Sequence, residues 1–208
     1  MTDSGRRRAI GERLAAGLLP ALLHRVQNTT QLLVGLRALV EIAPDDVPER
    51  CCDGLCDASR ETHTSGWLMG LLAGALGADM LRSREERGGL EPVLTWLRDS
   101  LRRREIVLEF RSDELPQLGV GAKESAEFCL TLMALVWESS VELPHGSRVE
   151  IAFTSAGALH EVHVSGSAAA AAARALREWR SRDDGSRVET RERGWTWRVP
   201  NHALEFHR

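Results

Sequence analysis

The sequence predicts an α+β protein in which a long N-terminal helical hairpin precedes a small α/β sandwich. Three observations carry this. First, Ala15, Leu19, Leu22, Val26, Thr29, Leu33, Leu36 and Val40 step alternately by four and three, an a/d heptad seam. Second, "APDDVPE" at 43 to 49 breaks that pattern, and a second apolar helical pattern follows at once. Third, from residue 105 onward short alternating runs interleave with short helical ones.

The first helix is expected over 9 to 42. Leu18, Leu23 and Leu32 widen its apolar face beyond a two-stranded seam. Pro20 lies inside the pattern and is expected to kink or loosen the helix. Pro44 stops it, Asp45 or Asp46 caps the next helix, and Pro48 suits that helix's first turn. The second helix is expected from about 47 to about 85, carrying Cys52, Leu55, Cys56, Trp67, Leu68, Leu71, Leu72, Ala75 and Leu76. Glycines 66, 70, 74 and 77 cost helix propensity but permit close packing. A short turn between long helices makes an antiparallel hairpin. A single hairpin leaves too much apolar face uncovered, so a homodimeric four-helix bundle is expected.

"REERGGLEP" at 84 to 92 reads as a linker, dividing the chain into 1–86 and 87–208. Beyond it the expected order is helix 91–103, strand 105–111, helix 122–142, strands 148–154 and 159–165, helix 167–180, and strands near 186–191 and 194–199. This is a sandwich with helices over one face of a mixed sheet. Trp195 and Trp197 are two apart on the last strand and face one side, as core or as partner surface.

Composition narrows the function classes. Of 208 residues, 43% are hydrophobic and 27% charged, the balance of a soluble globular chain. A net charge of −3 lacks the basic surplus of nucleic-acid binders. No apolar run approaches the roughly 20 residues that cross a bilayer, and no signal peptide is visible, so no membrane contact and a cytoplasmic location are expected. "CCDGLC" holds three of the four cysteines, Cys51, Cys52 and Cys56, but matches no paired-cysteine zinc spacing. With Cys129 they read as free thiols. His145, His160 and His163 do not have the spacing of a metal triad.

The candidate site is "LLHRVQNTTQLL" at 22 to 33. With Leu19, Val26, Leu33 and Val40 at a positions, His24 falls at f and faces solvent. A neutral imidazole is the nucleophile that phosphoryl transfer requires. Asn28 lies one turn further along the same face, able to hydrogen-bond a phosphoryl oxygen or orient a water. Arg25 beside it can balance phosphate or carboxylate charge.

"HRVQNTTQLL" resembles the phosphoacceptor box of the sensor histidine kinases whose motif reads His-Arg-Val-Lys-Asn. His24, Arg25, Val26 and Asn28 match it, and Gln27 replaces the lysine. The layout, a dimerising hairpin before an α/β sandwich, is that family's core. The resemblance implies a Bergerat-like (GHKL) second domain, but its nucleotide motifs are missing. The magnesium-holding asparagine would fall near Glu138, and the helix contains no asparagine. Ser165 stands in the place of the adenine-reading aspartate, with Gly166 alone resembling the glycines. "RSRDDGSRVE" at 180 to 189 has a single glycine for a lid.

The resemblance therefore implies a degenerate kinase core acting as a histidine phosphotransferase. His24 would accept a phosphoryl group from a receiver domain's aspartate and pass it to another, with Asn28 and Arg25 assisting. Gln27, Thr30 and Gln31 would contact the receivers of response regulators or hybrid kinases. This chain would bind no cofactor or metal; the magnesium would come with the receiver. The alternatives are a non-catalytic pseudokinase scaffold for a kinase or regulator, and, third, a divergent active kinase.

Overall fold

A computed structural model describes residues 3–42, 48–78, 89–110, 115–118, 122–156, 159–179, 187–200 and 204–205. The chain is α+β, with five helices and a mixed five-stranded sheet among the described residues. The first helix, α1, spans Asp3–Ile42 and runs through Pro20 without a break. Proline removes the N–H that would bond the Ala16 carbonyl. Ala16 is exposed, so water can take that acceptor, and the helix survives. The second helix, α2, spans Pro48–Ala75 and lies along α1. Of the expected break at 43 to 49, residues 43–47 lie outside the described residues, and Pro48 opens α2.

α2 ends ten residues earlier than its pattern suggests. Gly77 takes φ +87, Gly77 N–H bonds the Gly74 carbonyl at 3.0 Å, and Ala78 N–H bonds the Ala73 carbonyl at 2.9 Å. This paired arrangement around a left-handed glycine closes a helix. Gly77 is thus a terminator rather than a packing glycine. A side chain at Gly66 would meet nothing within 4 Å, and one at Gly74 only ordinary contact at 3.5 Å. A Cβ at Gly54 of α2 would stand 2.8 Å from the Leu36 side chain, and closer approaches are on α1. A Cβ at Gly11 would stand 2.1 Å from the Ala75 carbonyl oxygen, and one at Gly17 would stand 1.9 Å from the Trp137 ring. Most of the expected 84 to 92 linker lies outside the described residues.

The rest follows the expected order. α3 spans Leu90–Arg102, β1 Val107–Phe110, α4 Ala122–Ser140, β3 Arg148–Ala156, β4 Leu159–Ser165, α5 Ala169–Trp179, β5 Arg187–Arg191 and β6 Gly194–Pro200. Two short strands were not legible, β2 (Gln117–Leu118) and β7 (Leu204–Glu205), which pair antiparallel. A strand of two residues has no period to read. The main sheet has the order β1-β3-β4-β6-β5, with β1 and β3 parallel and every other pair antiparallel. β3 was expected to end at 154; it stays paired with β4 out to Ala156 and Leu159.

Strand alternation sets which face is covered. Val149, Ile151, Val162, Val164, Trp195, Trp197 and Val199 are buried beneath the helices. Trp195 and Trp197 share that face, as their spacing predicts, and Phe128 of α4 stacks on Trp197 with centroids 5.1 Å apart. α4 is apolar nearly all round because it has protein on several sides, the sheet below and α1 and α5 alongside. One cluster of buried residues runs from Ile10 on α1 to Val199 on β6, crossing position 86.

α3 closes in a strained turn. Glu105 N–H bonds the Arg102 carbonyl at 2.9 Å and Ile106 N–H bonds the Leu101 carbonyl at 3.1 Å, with Glu105 at φ +58. This is the closure seen at Gly77, performed by a residue that carries a Cβ. Glu105→Gly is therefore expected to raise stability by about 1 kcal/mol, or about 2–4 °C in Tm. The ion pair it would lose, with His145 at 3.0 Å, is exposed and contributes little. An unchanged or lower melting temperature would contradict this account of the turn.

Candidate functional site

The N-terminal half of α1 lies on the sandwich. Ile10, Leu14, Leu18 and Ala21 are buried there, at spacings of four, four and three. Arg7 pairs with Glu127 at 2.7 Å and lies 4.7 Å over the Trp179 ring. Arg13 grips Glu138 through two hydrogen bonds, 2.9 and 3.0 Å. That contact raises the Arg13 pKa above its ordinary value, chiefly through the hydrogen bond. Trp96 of α3 donates its indole N–H to the Leu18 carbonyl at 2.9 Å. The sequence signal for this docking was present in Ile10, Leu14 and Leu18, a stripe distinct from the heptad seam.

The distal half of α1 departs from the sandwich, and among the described residues it is flanked chiefly by α2. His24 lies just beyond that departure point and is exposed, as its heptad position predicts. Asn28 is exposed beside it, its amide nitrogen 3.4 Å from His24 Nε2. When Asn28 donates, the Nε2 lone pair points at its amide and Nδ1 carries the ring proton, so the amide must swing aside to free Nε2 as a nucleophile. Gln27, Thr30 and Gln31 are exposed on neighbouring turns. The Thr30 hydroxyl bonds the Val26 carbonyl at 2.9 Å, which holds its side chain against the helix.

Arg25 points elsewhere. Its guanidinium makes two hydrogen bonds to the Glu61 carboxylate of α2, at 2.7 and 3.1 Å, and lies 3.9 Å from Asp99 of α3. A bidentate arginine–carboxylate pair has fixed geometry. It ties the histidine's own helical turn to both neighbouring helices.

The heptad seam is only half used within one chain. Leu22 and Leu36 are buried, whereas Leu19, Leu33 and Val40 are 40, 41 and 50% exposed. Leu55 and Met69 on α2 are also exposed, at 52 and 47%. Between the helices lies a groove of about 460 Å³, lined by Leu33, Leu55, Ala58, Thr62, His63 and Gly66. This apolar flank lies on a different side of α1 from His24 and Asn28, by the helical angle between them.

The other sequence candidates have structural surroundings. The Glu138 side chain is 14% exposed and held by Arg13. Gly166 takes φ +77 in the turn from β4 into α5, its N–H bonding the Arg193 carbonyl at 2.6 Å. His163 on the open sheet face bonds Thr154 at 2.8 Å and Thr196 at 3.0 Å. Beside it Arg198 holds the Glu161 carboxyl below its ordinary pKa, chiefly by a hydrogen bond of 2.8 Å. Cys51 and Cys129 are buried and Cys52 and Cys56 exposed, all as free thiols, and burial pushes the Cys129 thiol far up. No cluster of His, Cys, Asp and Glu able to hold a metal occurs among the described residues. Nor is any described helix long and apolar enough to cross a membrane.

No protein-family model matches the chain, and no curated protein matches it.

Proposed function

We propose that the chain is a histidine phosphotransfer protein, relaying a phosphoryl group between receiver aspartates through His24 without using ATP. The observation that carries this reading is the exposed imidazole of His24 with the Asn28 amide 3.4 Å from Nε2. In the transfer, the Nε2 lone pair attacks the phosphorus of an aspartyl phosphate in line. The P–O bond breaks and its electron pair leaves with the aspartate carboxylate. Nδ1 keeps its proton throughout. The reverse step delivers the group to a second aspartate. Such a protein needs only a positioned nucleophile and a docking surface, because the receiver brings the magnesium.

Two further features support it. The exposed apolar flank of Leu19, Leu33, Val40, Leu55 and Met69 suits a second copy, giving a dimeric four-helix bundle with His24 outside the interface. A sheet covered by helices on one side is compatible with a degenerate Bergerat-like domain. In that frame, the position of the metal-holding asparagine is occupied by Glu138, and α1 lies over it through Arg13. Receivers of response regulators or hybrid kinases would dock over Gln27, Thr30 and Gln31, and the protein would work in the cytoplasm.

The test incubates the full chain with a phosphorylated receiver, or with a kinase and receiver pair, and follows acid-labile, base-stable label. Wild type is expected to take label, and His24→Ala to lose it on the order of 100-fold or more. Unlabelled wild type across donors would favour a non-catalytic scaffold. Label from ATP alone would indicate a divergent kinase.

A further inference from the structure

Arg25 was the sequence's candidate for neutralising a phosphoryl group on His24, but its donors are committed to Glu61 at 2.7 and 3.1 Å. A second arginine arrives at the same place from the other part of the chain. Arg103, at the C-terminal turn of α3, donates from Nη2 to the Pro20 carbonyl at 3.3 Å. In an α-helix that carbonyl is also the acceptor for the backbone N–H four residues on, which is His24. The His24 ring reaches towards the following turn, with Nε2 3.4 Å from the Asn28 amide nitrogen. The Arg103 guanidinium therefore stands on the N-terminal side of the His24 turn and the Asn28 amide on its C-terminal side.

This meeting is held by structure on both sides. Trp96, Asp99 and Arg103 form one stripe of α3, and the Trp96 bond to Leu18 at 2.9 Å sets its register along α1. The Glu105 turn fixes where α3 ends. Arg103 is exposed, and no carboxylate among the described residues pairs with it. One N–H is used on Pro20, and the other donors of its fork are left for an anion.

We propose that Arg103 binds the phosphoryl group carried by His24, so that the complete site is built from both the hairpin and the sandwich. This rests on His24 being the phosphoacceptor. Arg25 is then a positioning residue, and Arg103 the group that touches the phosphoryl oxygens.

Phosphoramidate tests it on the full chain without any partner. Nε2 attacks its phosphorus, the P–N bond breaks, and the zwitterion's ammonium leaves as ammonia, so Nδ1 keeps its proton. Phosphohistidine is followed by 31P NMR. Wild type is expected to show the resonance and His24→Ala to lack it. Arg103→Gln is expected to form it roughly fivefold to tenfold more slowly at low salt, with the difference shrinking at high salt. The phosphoryl titration should also move to higher pH in Arg103→Gln, a change that a merely structural role would not produce. Arg103→Lys should restore part of both effects, and Arg102→Gln should match wild type. If wild type is phosphorylated at His24 and Arg103→Gln forms and titrates phosphohistidine identically, Arg103 is not the phosphoryl ligand. If wild-type His24 takes no phosphoryl group from any donor, the relay reading itself falls, and the role of Arg103 falls with it.

Discussion

Gly166→Ala is expected to cost the fold about 3 kcal/mol, lowering Tm by about 6–12 °C. Two independent penalties combine. The residue sits at φ +77, where a Cβ costs roughly 1–2 kcal/mol. The added methyl would also stand 2.0 Å from the Arg148 carbonyl oxygen. That oxygen belongs to β3, which is paired on both sides by β1 and β4, so it cannot retreat as a flexible side chain would. Thermal unfolding checks this directly, and a loss below about 1 kcal/mol would refute it. The turn from β4 into α5 therefore requires a glycine at 166 for backbone reasons.

The second large effect is at Trp96. Its side chain is fully buried, and its indole N–H reaches the Leu18 carbonyl at 2.9 Å. Trp96→Ala is expected to destabilise by about 3–5 kcal/mol, through lost burial and the cavity left behind. Trp96→Phe keeps most of the ring volume and isolates the hydrogen bond, with a cost of about 1 kcal/mol. The smaller figure follows because the Leu18 carbonyl keeps its helical partner. Both losses should also appear locally. Trp96 joins α3 to α1 at Leu18, nearly two turns before His24, so hydrogen exchange along residues 14–21 should speed up more than exchange in the sheet. Uniform exchange changes, or a loss under about 1 kcal/mol for Trp96→Ala, would mean that α1 is seated by something else.

Local pattern was legible wherever an element repeats its period several times. The α3 span, the boundaries of β4 and the shared face of Trp195 and Trp197 follow from alternation or helical spacing alone. The exposure of His24 also follows, because the heptad seam places it on the outside. Other features escaped for identifiable reasons. The end of α2 at Gly77 depends on one left-handed residue in a helix whose apolar pattern runs on. The β2–β7 pair joins segments far apart in the chain, each too short for a pattern. The heptad seam was read as one continuous face, whereas a competing stripe of Ile10, Leu14 and Leu18 turns the first half of α1 onto the sandwich. Periodicity reports that a face is apolar but does not say which partner covers it.

The candidate site divides in the same way. By itself, the sequence determined that a histidine and an asparagine stand one helical turn apart on a polar flank, because that depends only on helix geometry. It also raised the expectation, through its resemblance to kinase cores, that the C-terminal part holds no magnesium nucleotide. Only the tertiary structure decided where the charges go. Arg25 turned to Glu61, Arg13 to Glu138, and Arg103 to the Pro20 carbonyl beside His24. A long flexible cation has many carboxylates and carbonyls within reach, and the packing of α1 against α2 and α3 selects among them.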